Sequence, residues 1–270
     1  MTRQVILACA GWAAIAACRA AAWAQEISWI TPDLPPLFIQ SGDSAGQGYG
    51  DREIAILTRN LTEFRHVYAH GDVARVWKEI EMRPVVCTPG AVKAPEREAV
   101  AYFSERPAYI PNYRLVALER TLPSITRDAL GRVDLARLRG FTVGRIKSRF
   151  YPGSVGDFLE SPGEGNRVEN TTETPLLINL LTHERISFFF ASPVEIAFYK
   201  PHLQDGQRLV TVPVVGIPSH VEIFAACSRN DLGKRAIDHI NQVMTNETNW
   251  REFVSVIDKW EVAAERSGAK

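Results

Sequence analysis

Residues 85–98 read VVCTPGAVKAPERE, and residues 102–104, close behind them, read YFS. The apolar start predicts a short buried strand, the proline–glycine pair a turn, and the polar end a short helix whose first turn carries Arg97. A guanidinium is a planar, permanently charged fork that suits a carboxylate gripped from two sides. One hypothesis is that the chain presents Arg97 to a small anionic or zwitterionic solute. The alternative, a solvated arginine paired with Glu96 or Glu98, is the better explanation of this stretch taken alone.

The bulk composition is that of an ordinary soluble globular protein. The chain has 270 residues, of which 46% are hydrophobic and 23% charged, which is enough for two modest domains or one large one. Its 31 basic side chains balance 31 acidic ones, and no long run of Lys or Arg occurs. A nucleic-acid partner needs a basic surplus, so the composition argues against one.

The first residues differ in kind from the rest. Arg3 is followed by an apolar run over 5–17, and Ala22-Trp23-Ala24 has the small-x-small pattern of a signal-peptidase site. The run is short for a membrane span and is followed by Arg19. We therefore predict that residues 1–24 are an export signal peptide and that the mature protein is periplasmic.

A second processing site lies inside this segment. The residues before Cys18 resemble a lipobox, in which Cys18 would be lipidated and would anchor the protein to the membrane. Removal of the signal also removes Cys9, so the mature domain retains Cys87 and Cys227. In an oxidising compartment these two form a candidate disulfide, and two separately buried thiols are the alternative.

Hydrophobic periodicity predicts an α/β chain in two parts. Strands and helices alternate over 27–88, which indicates a parallel sheet covered by helices. A long extended run at 109–118 precedes a second αβ series over 135–199, which is predicted to begin with a helix at 135–138 and to end with a short helix at 193–199. Two more apolar runs, the second at 221–227, lead into two closing amphipathic helices. The pattern favours two lobes.

No motif in the sequence indicates catalysis, a metal or a cofactor. None of the six histidines has the spacing of a zinc motif, and His183-Glu184 lacks a second histidine at the right offset. There is no G-x-S-x-G sequence and no paired-cysteine metal motif. We predict no catalytic residue, no metal site and no cofactor.

Several segments resemble, in order, those of bacterial extracellular solute-binding proteins of the polar amino-acid type (family 3), the receptors of ABC importers. The likeness is to a divergent branch and covers nearly the whole mature chain. The matching segments are Leu34-Pro35-Pro36-Leu37-Phe38, Gly46-Gln47-Gly48-Tyr49-Gly50-Asp51, Ala94-Pro95-Glu96-Arg97-Glu98 with Phe103-Ser104, Asp134 through Gly144, and Asn249-Trp250 through Lys259-Trp260.

The resemblance implies the two-lobed periplasmic-binding-protein type II fold, an α/β fold in which each lobe is a mostly parallel sheet flanked by helices. Lobe 1 would comprise residues 25–113 and the return segment 223–270, and lobe 2 residues 114–222. The extended runs 109–118 and 221–227 would be the paired hinge strands. This arrangement would also bring Cys87 and Cys227 within reach of each other.

The function that the resemblance implies is capture of a small-molecule solute by hinge closure, followed by docking of a monomer on the membrane permease of an ABC importer. Arg97 would bind the ligand carboxylate, with Thr88 as a polar contact beside it. The remaining candidates are an apolar wall of Trp29, Phe38 and Tyr49, for which core packing is an equally good explanation, and an anion site near a helix start in lobe 2, Ser148 and Arg149.

The chain departs from the family pattern at three places. Ala94 replaces a threonine that would contact the carboxylate, and residues 81–84 replace a Gly-x-x-Asp motif. Ser192 falls where amino-acid receptors carry the acid that binds the α-amino group, and the nearby Glu195 is a possible substitute. A basic cluster on that side indicates a ligand more negative than a neutral amino acid: Arg145, Lys147 and Arg149.

Two alternatives to a transport receptor stay open. The same fold hosts some dehydratases and hydrolases, so an enzyme is one of them, although no catalytic motif supports it. The other is a ligand sensor that acts on a separate membrane signalling protein. A ligand-binding receptor that is not an enzyme is the prediction taken forward.

Overall fold

The computed structural model describes residues 25–203 and 207–266. The predicted signal peptide at 1–24 and the possible lipid attachment at Cys18 lie outside the described residues. Among the described helices, none combines the length and the apolar composition that a membrane span requires.

The N-terminal part alternates strands with amphipathic helices. Its elements are β1 (Glu26–Thr31), α1 (Tyr49–Asn60), β2 (Arg65–His70), α2 (Val73–Met82), β3 (Val86–Ala91), α3 (Pro95–Glu98), β4 (Ala101–Phe103) and β5 (Ala108–Pro111). Asp72 caps α2 by accepting a hydrogen bond from Arg75 N at 2.7 Å. Helix α1 begins earlier than its apolar spacing predicts, because Asp51 reaches back to accept from Gly48 N at 3.1 Å.

The middle and C-terminal parts continue the series. The elements are β6 (Arg114–Leu118), β7 (Thr142–Ile146), α4 (Ser154–Glu160), β8 (Arg167–Thr171), α5 (Thr174–Thr182), β9 (Phe188–Ala191), α6 (Pro193–Tyr199), β10 (Leu209–Val212), β11 (His220–Ser228), α7 (Asp231–Thr245) and α8 (Glu247–Arg266). Short 3₁₀ turns cover Glu119–Ser124, Leu135–Arg137 and Lys200–His202, so the helix predicted at 135–138 is a single 3₁₀ turn.

Two sheets carry these elements, and they define the two lobes. Lobe 1 is built on a sheet of order β2-β1-β3-β11-β4, with β5 paired to β11, and lobe 2 on a sheet of order β10-β6-β9-β7-β8. Strand β1 is parallel to β2 and β3, and β7 is parallel to β8 and β9. The remaining pairs are antiparallel. The predicted two-lobed α/β architecture is confirmed, with sheets that are mixed because β11, β6 and β10 run against their neighbours.

The extended run at 109–118 is two strands that belong to different sheets. Strand β5 pairs with the first half of β11, with Val221 opposite Ile110, while β6 pairs with β9 and β10 in lobe 2. The chain therefore crosses between the lobes at Asn112-Tyr113. The predicted pairing of the two hinge runs is found between β5 and β11.

Both cores follow from the burial of the central strands. All of β9 is buried, with Phe188 and Phe190 packed on one face and Phe189 on the other, as expected for a strand covered by helices on both sides. Strand β8 was not predicted. Its side chains are mostly exposed and polar, because it lies at the sheet edge, so it leaves no apolar alternation in the sequence.

A disulfide links the two chain segments that form lobe 1. Cys87 on β3 and Cys227 on β11 are directly opposed in the antiparallel register, and both are fully buried. The predicted bridge is confirmed. It joins residues separated by 140 positions in the sequence.

The lobes also touch away from the hinge strands. Helix α6 of lobe 2 packs against α8 of lobe 1, and the rings of Phe198 and Trp260 lie 6.1 Å apart there. The structure is therefore one in which the two lobes are in contact across the cleft.

Candidate functional site

A small cavity of about 100 Å³ lies between the two lobes. Its lobe 1 wall includes Phe38, Trp77, Thr88 and Arg97, and its other wall includes Tyr113, Arg149 and Phe150. Most of the remaining lining is aliphatic, and none of the described lining residues is Asp or Glu. The cavity is thus apolar apart from two guanidiniums, a threonine and a tyrosine.

Arg97 is held between aromatic rings of the two lobes. Its Cζ lies 4.4 Å from the ring centre of Trp77 on α2 and 4.6 Å from that of Phe150, which follows β7. Nη1 donates a hydrogen bond of 3.0 Å to Val92 O. Among the described residues no carboxylate forms an ion pair with Arg97, so the alternative of a surface pair with Glu96 or Glu98 is wrong.

The environment of Arg97 weakens its hold on the proton without removing the charge. Burial lowers the pKa of the guanidinium to about 10, and the nearby Tyr113 and Glu96 only partly oppose this. The group is therefore a cation at neutral pH that has lost part of its hydration and has gained no carboxylate in exchange.

The second guanidinium of the cavity is in the opposite situation. Arg149 Nη1 donates to Glu195 Oε2 at 3.0 Å, and Nη2 donates to Glu195 Oε1 at 2.9 Å. Thr174, at the start of α5, accepts from Nη2 at 3.1 Å, and its hydroxyl donates to Glu195 Oε1. The side chains of Arg149 and Glu195 are 4% and 6% exposed. Three elements of lobe 2 thus converge on one buried ion pair.

This pairing changes the interpretation of three predicted site residues. Arg149 does not lie at the start of the helix that follows β7, because α4 begins only at Ser154, and its guanidinium instead contacts Thr174 at the start of α5. Both oxygens of Glu195 are already bonded, so Glu195 does not stand free in place of the missing acid. Ser192 caps α6 by accepting from Glu195 N at 3.3 Å and lines none of the described cavities.

Arg149 is a cation with one donor that has no partner among the described residues. Burial is the largest single effect and acts to lower the pKa of Arg149, but the adjacent Glu195, Tyr151 and Tyr113 together outweigh it and raise that pKa above its ordinary value. Arg149 Nε is buried and has no hydrogen-bond partner among the described residues. Such an atom calls for a water or a ligand to satisfy it.

Of the three aromatic residues predicted for the apolar wall, one lines the cavity. Phe38 does so while packing into the lobe 1 core. Trp29 is fully buried in that core, where its Nε1 donates to His66 Nδ1 at 3.1 Å, and it lines none of the described cavities. Tyr49 is also buried and lines none of them, and burial, together with the charge of Glu195, raises the pKa of its phenol. The sequence missed Trp77 and Phe150, the rings that contact Arg97.

Thr88 and Ser148 fall in two adjoining spaces. Thr88 is buried on the wall of the Arg97 cavity. Ser148 lines a neighbouring polar chamber of about 420 Å³, whose acidic lining residues are Asp33, Asp72 and Glu173. Arg149 lines both spaces, as do Pro32, Leu34 and Val73, so the two adjoin.

The basic cluster expected in the cleft is not assembled there. Arg145 donates to Asn170 Oδ1 and to Glu160 Oε1, and with Lys147 it lines a separate cavity of lobe 2. Only Arg149 of the three reaches the interlobe cavity, and its charge is cancelled by Glu195. In the part of the chain that the structure describes, no group of three His, Cys, Asp or Glu residues is placed to hold a metal ion.

Comparison by sequence and by structure gives different results. No family model matches the chain, and no curated protein matches it. Solved structures match along most of its length. An amino acid ABC transporter substrate-binding protein from Streptococcus pneumoniae, bound to L-arginine, is 14% identical, with a TM-score of 0.67 over 89% of this chain and 96% of that one. The fold is the two-lobed periplasmic-binding-protein type II fold.

Two further structures of the same fold extend the comparison. The GluR0 ligand-binding core from Nostoc punctiforme, in complex with L-glutamate, is 13% identical, with a TM-score of 0.63 over 87% of this chain and 98% of that one. The periplasmic VFT2 domain of BvgS from Bordetella pertussis is 16% identical, with a TM-score of 0.60 over 87% and 92%. In this type II fold the Arg97 cavity lies in the cleft between the lobes.

Proposed function

We propose that the protein is an extracytoplasmic receptor that captures a small carboxylate-bearing solute, an amino acid or an organic anion, by hinge closure and delivers it to the permease of an ABC importer. The observation that carries this proposal is the state of Arg97. It is a partly dehydrated cation, has no carboxylate partner among the described residues, and lies in a cavity built by both lobes.

Arg97 has the donors that such a ligand requires. A guanidinium offers five N–H donors, and Arg97 uses Nη1 on a backbone carbonyl. A carboxylate can accept two parallel hydrogen bonds from the same group, and these charge-assisted bonds are strengthened where water is excluded. The guanidinium is already partly desolvated in the free protein. Part of the free energy needed to remove its water is therefore spent when the protein folds and does not weaken ligand binding.

Closure of the lobes completes the site. The Trp77 ring that packs on Arg97 belongs to lobe 1, whereas the Phe150 ring on Arg97 belongs to lobe 2. A ligand held by Arg97 therefore makes contacts in the closed form that an open form would lack, and this difference is what drives hinge closure. Strands β5 and β11 supply the hinge.

The cellular setting proposed from the sequence has independent support. Several structural neighbours are amino acid ABC transporter substrate-binding proteins, and one is a periplasmic domain. A buried disulfide suits a protein exported to an oxidising compartment. We infer a periplasmic receptor that works as a monomer without catalysis, with lipid anchoring through Cys18 as the alternative form.

Two matched variants test the role of Arg97. Arg97→Ala removes the proposed anchor, and Arg114→Ala removes another partly buried arginine whose pKa is lowered by burial but which lines none of the described cavities. Wild type and both variants are screened by thermal shift against amino acids, monocarboxylates and dicarboxylates, and hits are measured by calorimetry. We expect Arg97→Ala to weaken binding by about 10- to 100-fold.

Arg114→Ala should bind each hit as tightly as wild type. Equal affinity of Arg97→Ala and wild type for every hit would contradict the proposed site. Failure of every small carboxylate to bind wild type would contradict the proposed function. Turnover of a bound solute by pure protein would instead establish the enzyme alternative.

A further inference from the structure

The charges around the Arg97 cavity restrict which part of a ligand can be cationic. The described lining includes two guanidiniums and no carboxylate. The buried acids of the described chain are Glu53 and Glu195. Glu53 lies on α1 and does not line the cavity, and Glu195 is held by Arg149 and Thr174. A cationic group entering this space would therefore meet positive charge and no free acid.

Both arginines that line the cavity have hydrogen-bond donors without a partner among the described residues. Arg97 forms no ion pair among the described residues, and Arg149 Nε is a buried donor without a partner there. Both are donors that an anion satisfies and that an ammonium group does not. Arg149 forms an ion pair with Glu195 and neutralises it. This pair therefore gives the cavity no net negative charge from lobe 2.

The rest of the lining is apolar. Leu34, Leu37, Phe38 and Val76 contribute aliphatic and aromatic surface, and Trp77 and Phe150 enclose the guanidinium. A second carboxylate on the ligand would need a second unpaired cation, which Arg149 is not. One negative group on an apolar body matches the lining best.

We propose that this cavity selects small apolar monocarboxylates and rejects both the corresponding α-amino acids and the corresponding dicarboxylates. The proposal rests on the proposed function, which it narrows to one substrate class. An α-ammonium lies on the carbon next to the carboxylate, so it must enter the same cavity as the group that Arg97 binds. There it would lose its hydration without gaining a carboxylate among the described lining residues.

The acidic residues of the neighbouring polar chamber do not relieve this problem. Asp33, Asp72 and Glu173 line that chamber and not the Arg97 cavity, and all three are exposed. Asp72 is also the N-cap of α2 and accepts from Arg75 N. These acids could reach a cation at the far end of a long ligand, but an α-ammonium is fixed beside the carboxylate.

The test compares ligands that differ by one group, on the full mature chain. The pairs are 4-methylpentanoate with leucine and 3-phenylpropionate with phenylalanine, which differ only in the ammonium, and hexanoate with adipate, which differ in the second carboxylate. Calorimetry at pH 7 gives each affinity. We expect the monocarboxylate of at least one ammonium pair to bind about 100-fold more tightly than its amino acid, because the unpaired ammonium is not satisfied.

The same measurement on Arg97→Ala and Arg114→Ala ties the preference to the cavity. The preferred monocarboxylate should lose affinity in the first variant and keep it in the second. An amino acid or adipate that binds as tightly as its monocarboxylate counterpart, or more tightly, would overturn the proposal while leaving the receptor function standing. Absence of binding by all six compounds, with binding of another carboxylate in the wider screen, would also overturn it.

Discussion

Two arginines, one from each lobe, line the cavity between the lobes, and their surroundings are opposite in kind. Arg149 of lobe 2 donates to both oxygens of Glu195 and is almost fully buried. Arg97 of lobe 1 donates to a backbone carbonyl and lies between two aromatic rings. Glu195 raises the pKa of the first against the effect of burial, whereas burial lowers the pKa of the second to about 10.

The charge of Arg149 is used within the fold, whereas the charge of Arg97 is available to a ligand. A buried ion pair with matched hydrogen bonds ties together the elements that supply it, here the turn after β7, the start of α5 and the start of α6. A partly dehydrated cation without a counter-charge, held by one backbone carbonyl and two aromatic rings, contributes less to the fold and gains most when an anion binds. In the cavity between the lobes, the lobe 2 wall therefore carries a cation that is already paired with an acid, and the lobe 1 wall carries a cation that is not.

The largest expected effect is on folding stability. Glu195→Gln keeps the size of the side chain but leaves Arg149 as a buried cation without its counter-charge, which should cost about 3–5 kcal/mol of unfolding free energy. Arg97→Ala removes no ion pair and should change that free energy by less than about 1 kcal/mol. Urea unfolding followed by circular dichroism measures both variants.

The exposed Glu169 on β8 provides the control for this comparison. Glu169→Gln should leave the urea midpoint within the range of a neutral surface substitution, about 0.5 kcal/mol. Equal losses from Glu195→Gln and Arg97→Ala would remove the distinction between the two arginines.

The next effect is on the pH dependence of ligand affinity. Because binding requires the cationic form of Arg97 and the anionic form of the ligand, affinity should be constant from about pH 7 to about pH 10 and fall as the pH rises further, by up to tenfold for each unit. Arg149 keeps its proton in this range because its pKa is raised. Calorimetry between pH 8 and pH 11 with a bound carboxylate tests this. An affinity that rises above pH 10 would assign the anchor to another group.

The smallest effect concerns the rings that enclose Arg97. Phe150→Leu and Trp77→Leu each remove one ring from the guanidinium and should each weaken ligand binding by about 1 kcal/mol. Only Phe150 is a contact between lobes, so only its replacement should also loosen the ligand-free closed form, which small-angle scattering reports as a larger radius of gyration. Phe198→Leu, away from the cavity, should affect closure without the direct effect on Arg97. Unchanged affinity in both ring variants would show that the rings do not support the anchor.

The elements whose ends carry local signals were predictable from the sequence. Helix α6 was predicted at Pro193–Tyr199 and is found with those bounds, because Ser192 caps it and Pro193 suits its first turn. Apolar spacing alone did not give the start of α1, since that start depends on the Asp51 carboxylate. Strand β8 was missed because an exposed edge strand has little hydrophobic signal.

The candidate site was predictable only where a single segment forms it. Residues 94–98 alone favoured a surface arginine, and Arg97 became a candidate anchor only through the place of this segment in the wider resemblance. The enclosing rings were not predictable as a pair, because they come from different lobes and meet only through the tertiary arrangement. The pairing of Arg149 with Glu195, 46 residues apart, depends on three elements of lobe 2 converging, and no local pattern records that.

The disulfide between Cys87 and Cys227 has a consequence for how the molecule withstands damage. Lobe 1 is made of chain that precedes lobe 2 and chain that follows it, and the bridge joins these two parts on opposite sides of the insertion. The whole of lobe 2 is therefore contained in a covalently closed loop. A protease that cuts once within that loop produces two polypeptides that remain one molecule, and they separate only when the disulfide is reduced.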